Sequence, residues 1–314
     1  RNCHKSHHYG LVLAGAQVAY LDSYPLDEYS MYGAVPIRQI KETLLGFRKA
    51  GTLNRVRLVL LTNCTFDGIV YDVERVMMEC LAIKPDLVFL WDEAWFAFAV
   101  CHPIYRQRTG MASARKLAET MKTDDYAKRY AEFKAGFGPK DWNNDKKLLD
   151  TRLMPDPAVA RVRVYATHST HKTLTSLRQG SMIHVWDQDF KDKAEEAFHE
   201  AYMTHTSTSP NYQILASLDV GRRQVEMEGY ELVQRQLELA MTLREQVLNH
   251  PLLKKYFRFL RVSDIVPLEY RASAVDSYYN AESGWNNLDM AWRTDEFALD
   301  PSRATLCIGD TGVD

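Results

Sequence analysis

Paired cysteines are missing from this sequence: Cys3, Cys64, Cys80, Cys101 and Cys307 are odd in number and scattered, and none belongs to a CxxC motif. Neither a disulfide framework nor a zinc ribbon is therefore expected, and a reducing cytoplasm is the compartment that fits. Long apolar runs are missing too. No stretch approaches the roughly 20 residues a membrane helix needs, and no basic start followed by a long apolar stretch opens the chain, so no membrane span or secretory signal is expected. A marked excess of one charge sign is missing as well, with 39 Lys and Arg against 41 Asp and Glu. A net charge of -2 gives no broad attraction to nucleic acid or anionic membrane, so partners must be recognised at local sites. Internal repeats and low-complexity tracts are absent.

What remains is the composition of a globular enzyme. With 314 residues, 46% apolar and 25% charged, the chain can bury a sizeable core, enough for one large α/β domain and part of a second. Val56 to Leu61, Leu87 to Trp91, Val162 to Tyr165 and Met182 to Val185 read as buried parallel strands. Ile37 to Phe47 and Val73 to Leu81 have helical spacing, and Phe190 to Tyr202 places Ala194, Ala197, Phe198 and Ala201 on one face. Such alternation predicts an open, mostly parallel sheet with crossover helices. Between about 106 and 157 the charged residues dominate, which predicts a solvent-facing helical insertion; Leu117, Met121, Tyr126, Tyr130 and Phe133 form a stripe that should dock it. A long helix is expected over Gln224 to Leu248. This divides the chain into a large domain over 1–222 and a linking helix with the start of an α+β domain over 223–314. The chain opens on Arg1 rather than methionine and stops just after the apolar run Ala304 to Ile308, so a fragment is expected.

The segment Ala166-Thr167-His168-Ser169-Thr170-His171-Lys172 follows an apolar strand. A lysine in a small, hydroxyl-rich loop at a strand end can sit partly dehydrated, which frees its amine to form a Schiff base. By composition alone a surface lysine in a polar turn is the favoured reading. Asp92 follows the run Leu87 to Trp91, which places a carboxylate at the carboxyl end of a buried strand, where open α/β sheets bind ligands. A helix N-cap is the other reading of Asp92. His4, His7, His8, His168 and His171 fit no closed zinc site, and no metal is expected.

Ser169-Thr170-His171-Lys172, continuing to Ser181-Met182-Ile183-His184-Val185, resembles the cofactor-lysine signature of the bacterial ornithine, lysine and arginine decarboxylases. Four further stretches match in the same order: Arg1-Asn2-Cys3-His4-Lys5-Ser6, Thr62-Asn63-Cys64-Thr65-Phe66-Asp67-Gly68, Asp92-Glu93-Ala94-Trp95 and His205-Thr206-Ser207-Thr208-Ser209-Pro210. The resemblance implies an aspartate-aminotransferase-like fold, pyridoxal 5'-phosphate as cofactor, and decarboxylation of a basic amino acid to a diamine or agmatine. It implies that Lys172 carries the cofactor, that Asp92 keeps the pyridine nitrogen protonated, and that His4 stacks on the ring. Trp95 would lie near the ring hydroxyl, and Ser169 and His171 on the phosphate side. Ser207 and Ser209 would reach the phosphate of a neighbouring subunit, which implies a homodimer with a shared site. The long Asp92-to-Lys172 interval leaves the substrate open, and the Gly-Thr-Ser phosphate cup of the family is absent. Another reaction on the same fold, such as transamination, and a non-catalytic assembly or regulatory relative are the alternatives.

Overall fold

The computed structural model describes residues 3–278 and 285–311; Arg1 and Asn2 of the first motif, and the closing 312–314, lie outside the described residues. Along the chain come α1 (Lys5–Leu13), α2 (Ile37–Lys49), β1 (Leu58–Thr62), β2 (Ile69–Tyr71), α3 (Val73–Ile83) and β3 (Val88–Asp92). They are followed by α4 (Gly110–Thr120), α5 (Asp124–Gly136), α6 (Asp145–Asp150), β4 (Arg163–Ser169) and β5 (Ser181–Asp187). Beyond these come α7 (Glu195–His205), α8 (Tyr212–Asn249), α9 (Asn286–Thr294) and β6 (Phe297–Leu299). Helix α2 buries Ile37, Ile40, Leu44 and Leu45, the i, i+3, i+7, i+8 stripe of an amphipathic helix, and α3 is capped by the Asp72 side chain, which accepts from Arg75 N.

A 4-stranded sheet in the order β1-β3-β4-β5 carries the architecture. The first three strands are parallel, with Thr62 opposite Asp92 and Asp92 opposite Thr167. Strand β5 departs from the expected parallel set: it returns antiparallel to β4, with Ser169 opposite Ser181. The cause is the loop over 170–180, which is shorter than the dozen or so residues a parallel crossover needs.

The charged stretch between 106 and 157 is less of an insertion than its composition predicts. Arg108 and Ser113 are buried, and Ala114, Leu117 and Ala118 of α4 belong to the main core. The charges of Arg115, Lys116 and Glu119 occupy the outward face, which explains the polar reading. The stripe does dock: Leu117, Met121 and Tyr126 are buried, and Tyr130 and Phe133 pack against the core. At the end of α6, Lys41 donates to the carbonyls of Leu148, Leu149 and Thr151 while pairing with the buried Glu79 at 2.6 Å.

The helix expected over Phe190 to Tyr202 breaks at Ala194, and α7 buries none of its residues. Among the described residues the core runs on across residue 223. Val233, Leu237 and Met241 of α8 and Leu288, Ala291 and Trp292 of α9 share one cluster with the sheet domain. Strand β6 pairs antiparallel with β2, Ile69 opposite Leu299. The buried Arg108 donates to the carbonyls of Val70, Ala291, Trp292 and Asp295, tying the C-terminal segment down.

Candidate active site

Parallel strands end together, so the residues that follow β3 and β4 emerge at one edge of the sheet. Asp92 is the last residue of β3 and is 6% exposed. Its Oδ1 accepts from Ala94 N at 3.1 Å and its Oδ2 is 2.8 Å from His7 Nε2. Burial is the largest influence and acts to raise the Asp92 pKa, but the hydrogen bonds from His7 and Ala94, with the charges of His7 and Lys172, outweigh it and hold the carboxyl below its ordinary value. Asp92 is thus an anion in a nearly dry setting. Its contact to Ala94 N makes it the cap of a turn rather than of a helix, since the next helical residues start at Ala97.

Strand β4 delivers Ser169, and the loop beyond it carries His171 and Lys172. The Lys172 ammonium stands 5.2 Å from the centroid of the Trp95 ring and, among the described residues, has no ion-pair partner. Trp95 faces a second cation as well: Arg303 Cζ is 5.0 Å from the same ring, and Arg303 Nη2 donates to the Trp95 carbonyl at 2.9 Å. The loop is held from inside. Thr170 N and His171 Nδ1 both donate to the Gly180 carbonyl, at 3.3 and 3.1 Å, and Ser176 Oγ donates to the Thr170 carbonyl at 2.8 Å. A Cβ at position 180 would collide with Thr170 Oγ1, which accounts for glycine there.

Of the residues singled out from the sequence, Lys172, Asp92, Trp95, Ser169 and His171 come together at this edge. His4 does not join them: it is exposed, caps α1 and sits 2.8 Å from Ser6 Oγ, while His7 makes the contact to Asp92. Ser207 and Ser209 are exposed between α7 and α8, where Ser209 N donates to Ser207 Oγ at 3.2 Å. The sequence reading missed Glu93, which is fully buried and meets Asn63, Gly110 and His168. It also missed Arg303. Glu93 follows Asp92 directly, but its partners lie far away in sequence.

Chemically, the edge offers a lysine with no ion-pair partner among the described residues, a carboxylate held below its ordinary pKa and an aromatic face. Two hydroxyls flanking Lys172, Thr170 Oγ1 and Thr173 Oγ1, are buried with no partner among the described residues. Buried hydroxyls are normally hydrogen-bonded, so these are donors suited to a ligand with acceptor oxygens. No group of His, Cys, Asp and Glu among the described residues is arranged to hold a metal. No helix among them is long and apolar enough to cross a membrane.

Known proteins resemble the chain throughout. Lysine decarboxylase LdcA of Pseudomonas aeruginosa is 30% identical over 256 residues, which is 79% of this chain and 28% of that protein. The biodegradative arginine decarboxylase of Escherichia coli is 31% identical over 258 residues, 78% of this chain and 28% of that protein. The chain therefore spans under a third of the length of these curated relatives. Among solved structures, lysine decarboxylase A from Pseudomonas aeruginosa superposes with a TM-score of 0.59 at 26% identity, covering 98% of this chain and 36% of the other. The family model for the Orn/Lys/Arg decarboxylase major domain matches residues 1–133 and 149–312, leaving only 134–148 of the expected insertion unmatched. With the match running over nearly the whole chain, the chain belongs to the Orn/Lys/Arg decarboxylase family through its major domain.

Proposed function

We propose that the protein carrying this chain decarboxylates a basic amino acid, ornithine, lysine or arginine, with pyridoxal 5'-phosphate held on Lys172. The observation that carries this reading is that Asp92 ends β3 and Lys172 follows the adjacent parallel β4 at the same sheet edge, where the lysine's charge helps hold the buried aspartate below its ordinary pKa. The relatives named as lysine and arginine decarboxylases support the reaction type. An aspartate-aminotransferase-like fold, of which the parallel β1-β3-β4 core would be part, goes with the same proposal.

When bound, pyridoxal phosphate supplies a ring that accepts the electron pair left as carbon dioxide departs. The chain's own residues do the rest. Lys172 Nζ would hold the cofactor, and the hydroxyls of Thr170, Thr173 and Ser169 would donate to its phosphate oxygens, with the His171 ring fixed beside them by its bond to the Gly180 carbonyl. Asp92 Oδ2, now facing the N–H of His7, is the atom that would hold the proton on the pyridine nitrogen, and Trp95 would bound the site on the Lys172 side. His4 is proposed as the ring-stacking residue only with α1 displaced from its present place.

A cytoplasmic homodimer completes the proposal. Helix α8 exposes Leu215, Met227, Tyr230, Leu239 and Leu243, more apolar surface than a lone helix usually shows, and Ser207 and Ser209 stand exposed at its start, open to a neighbouring subunit's phosphate. The test is carbon dioxide release by the full-length protein from each of the three amino acids. A diamine or agmatine product is expected; a keto acid, or no turnover of any of them, would overturn the reading.

A further inference from the structure

Strand β4 breaks its own pattern at one position. Val164, Ala166 and His168 share its buried face, and the alternation calls for an apolar residue where the histidine stands. His168 Nε2 lies 2.9 Å from Glu93 Oε2. The Glu93 carboxylate is fully buried, and among the described residues no lysine or arginine is within ion-pair distance of it. Its other oxygen accepts from Asn63 Nδ2 at 2.9 Å and from Gly110 N at 2.7 Å.

Each contact comes from a different element. Asn63 follows β1, Glu93 follows β3, His168 lies near the end of β4, and Gly110 opens α4, so one carboxylate joins the ends of three neighbouring strands to a helix N-terminus. The backbone supports the same junction, with Asn63 N donating to Asp92 O at 2.9 Å and Glu93 N to Thr167 O at 3.0 Å. From β5, the His184 ring packs 4.6 Å from that of His168. Burial, and then His168, lower the His184 pKa against the opposing pull of Glu93. A carboxylate oxygen only accepts, so His168 Nε2 is the donor to Glu93. A polar assembly this deep is costly unless satisfied, and a broken sequence rule of this kind is expected where function requires it.

We propose that Glu93 and His168 are a positioning pair for the reaction proposed above: their hydrogen bond fixes the chain just beyond β3 and β4, and so the spacing between Asp92 and Lys172. Asp92 is the residue before Glu93, and Lys172 lies four residues beyond His168. A shift of the order of 1 Å in such a pair can lower a rate about a hundredfold without loss of the fold. The pair touches neither cofactor nor substrate in this account; it acts through Asp92 and Lys172.

The experiment compares full-length wild type, His168→Leu and His168→Gln at one pH, reading kcat and KM separately, the visible absorbance band of the lysine-bound cofactor, and the melting temperature. Leucine fits the buried strand face but donates nothing to Glu93; glutamine restores a donor. His168→Leu should lower kcat at least tenfold with KM changed less than threefold, and shift the visible band. His168→Gln should recover kcat to within threefold of wild type together with the original band. If His168→Leu does not fold, His168→Thr, too short to reach Glu93, replaces it with the same expectations. Unchanged kcat and band in the variant lacking the donor, or failure of glutamine to rescue, would overturn the positioning role while the wild-type band upholds the proposed function. Absence of the band from wild type would overturn both.

Discussion

His7 Nε2 and Asp92 Oδ2 are 2.8 Å apart, in a contact only 12% and 8% exposed on its two sides. Helix α1 thereby brings a ring N–H to the same carboxylate oxygen that the proposed reaction assigns to the pyridine nitrogen. If one donor takes the place of the other, His7→Ala should destabilise the cofactor-free protein by roughly 1–3 kcal/mol, the cost of leaving a buried charged acceptor short of a donor. It should not weaken binding of pyridoxal phosphate. Urea unfolding and equilibrium dialysis of the same variant check both halves, and a loss of cofactor affinity would make His7 a cofactor ligand instead.

Asp92→Asn should keep the cofactor on Lys172 but lower turnover by several orders of magnitude, because a neutral amide cannot hold the pyridinium proton. A partly dry ion pair contributes on the order of a few kcal/mol, and each 1.36 kcal/mol is about tenfold in rate. Near-normal kcat in this variant would remove Asp92 from the mechanism.

Arg108 connects parts of the chain that composition assigns to different domains. Its guanidinium donates to the carbonyls of Val70, Ala291, Trp292 and Asp295, with the closest contact 2.6 Å to Asp295. Arg108→Met leaves several buried acceptors unpaired and should cost about 3 kcal/mol or more. Denaturant midpoints measure this, and a change below about 1 kcal/mol would show that the segment is held by its apolar contacts alone.

His184 gives a pH dependence of known sign. Burial lowers its folded pKa from the ordinary value of 6.5, so the unfolded chain takes up this proton first as the pH falls. Its contribution to stability is present above 6.5 and is lost as pH drops from there through the folded pKa. Unfolding midpoints measured between about pH 5 and 8 should fall on the acid side in wild type and fall less in His184→Gln. An identical acid slope in the two proteins would contradict this.

The apolar runs made β1, β3 and β4 legible because each buries part of its length, whereas β5, read as buried, lies at the sheet edge with no residue fully buried; the Ser169 to Lys172 motif placed the lysine at a strand end. Strand direction was not legible in the same way: Met182 to Val185 reads alike in either sense, and only the short loop before it requires an antiparallel return. The pairing of Glu93 with His168 spans 75 positions in sequence, and neither residue announces the other locally. His4 and His7 differ by less than one helical turn, so composition could not tell which ring faces Asp92. The pairing of β2 with β6 was hidden for a different reason, since the charged stretch beyond residue 106 masked the buried Arg108 that secures it.

The central claim is that Lys172 carries the cofactor. Borohydride reduction of the full-length protein after incubation with pyridoxal phosphate, followed by peptide mass mapping, tests it directly. The account requires a pyridoxyl group on Lys172 and its disappearance in Lys172→Ala, along with the visible absorbance. A pyridoxyl group on a different lysine, or its persistence in that variant, would contradict it.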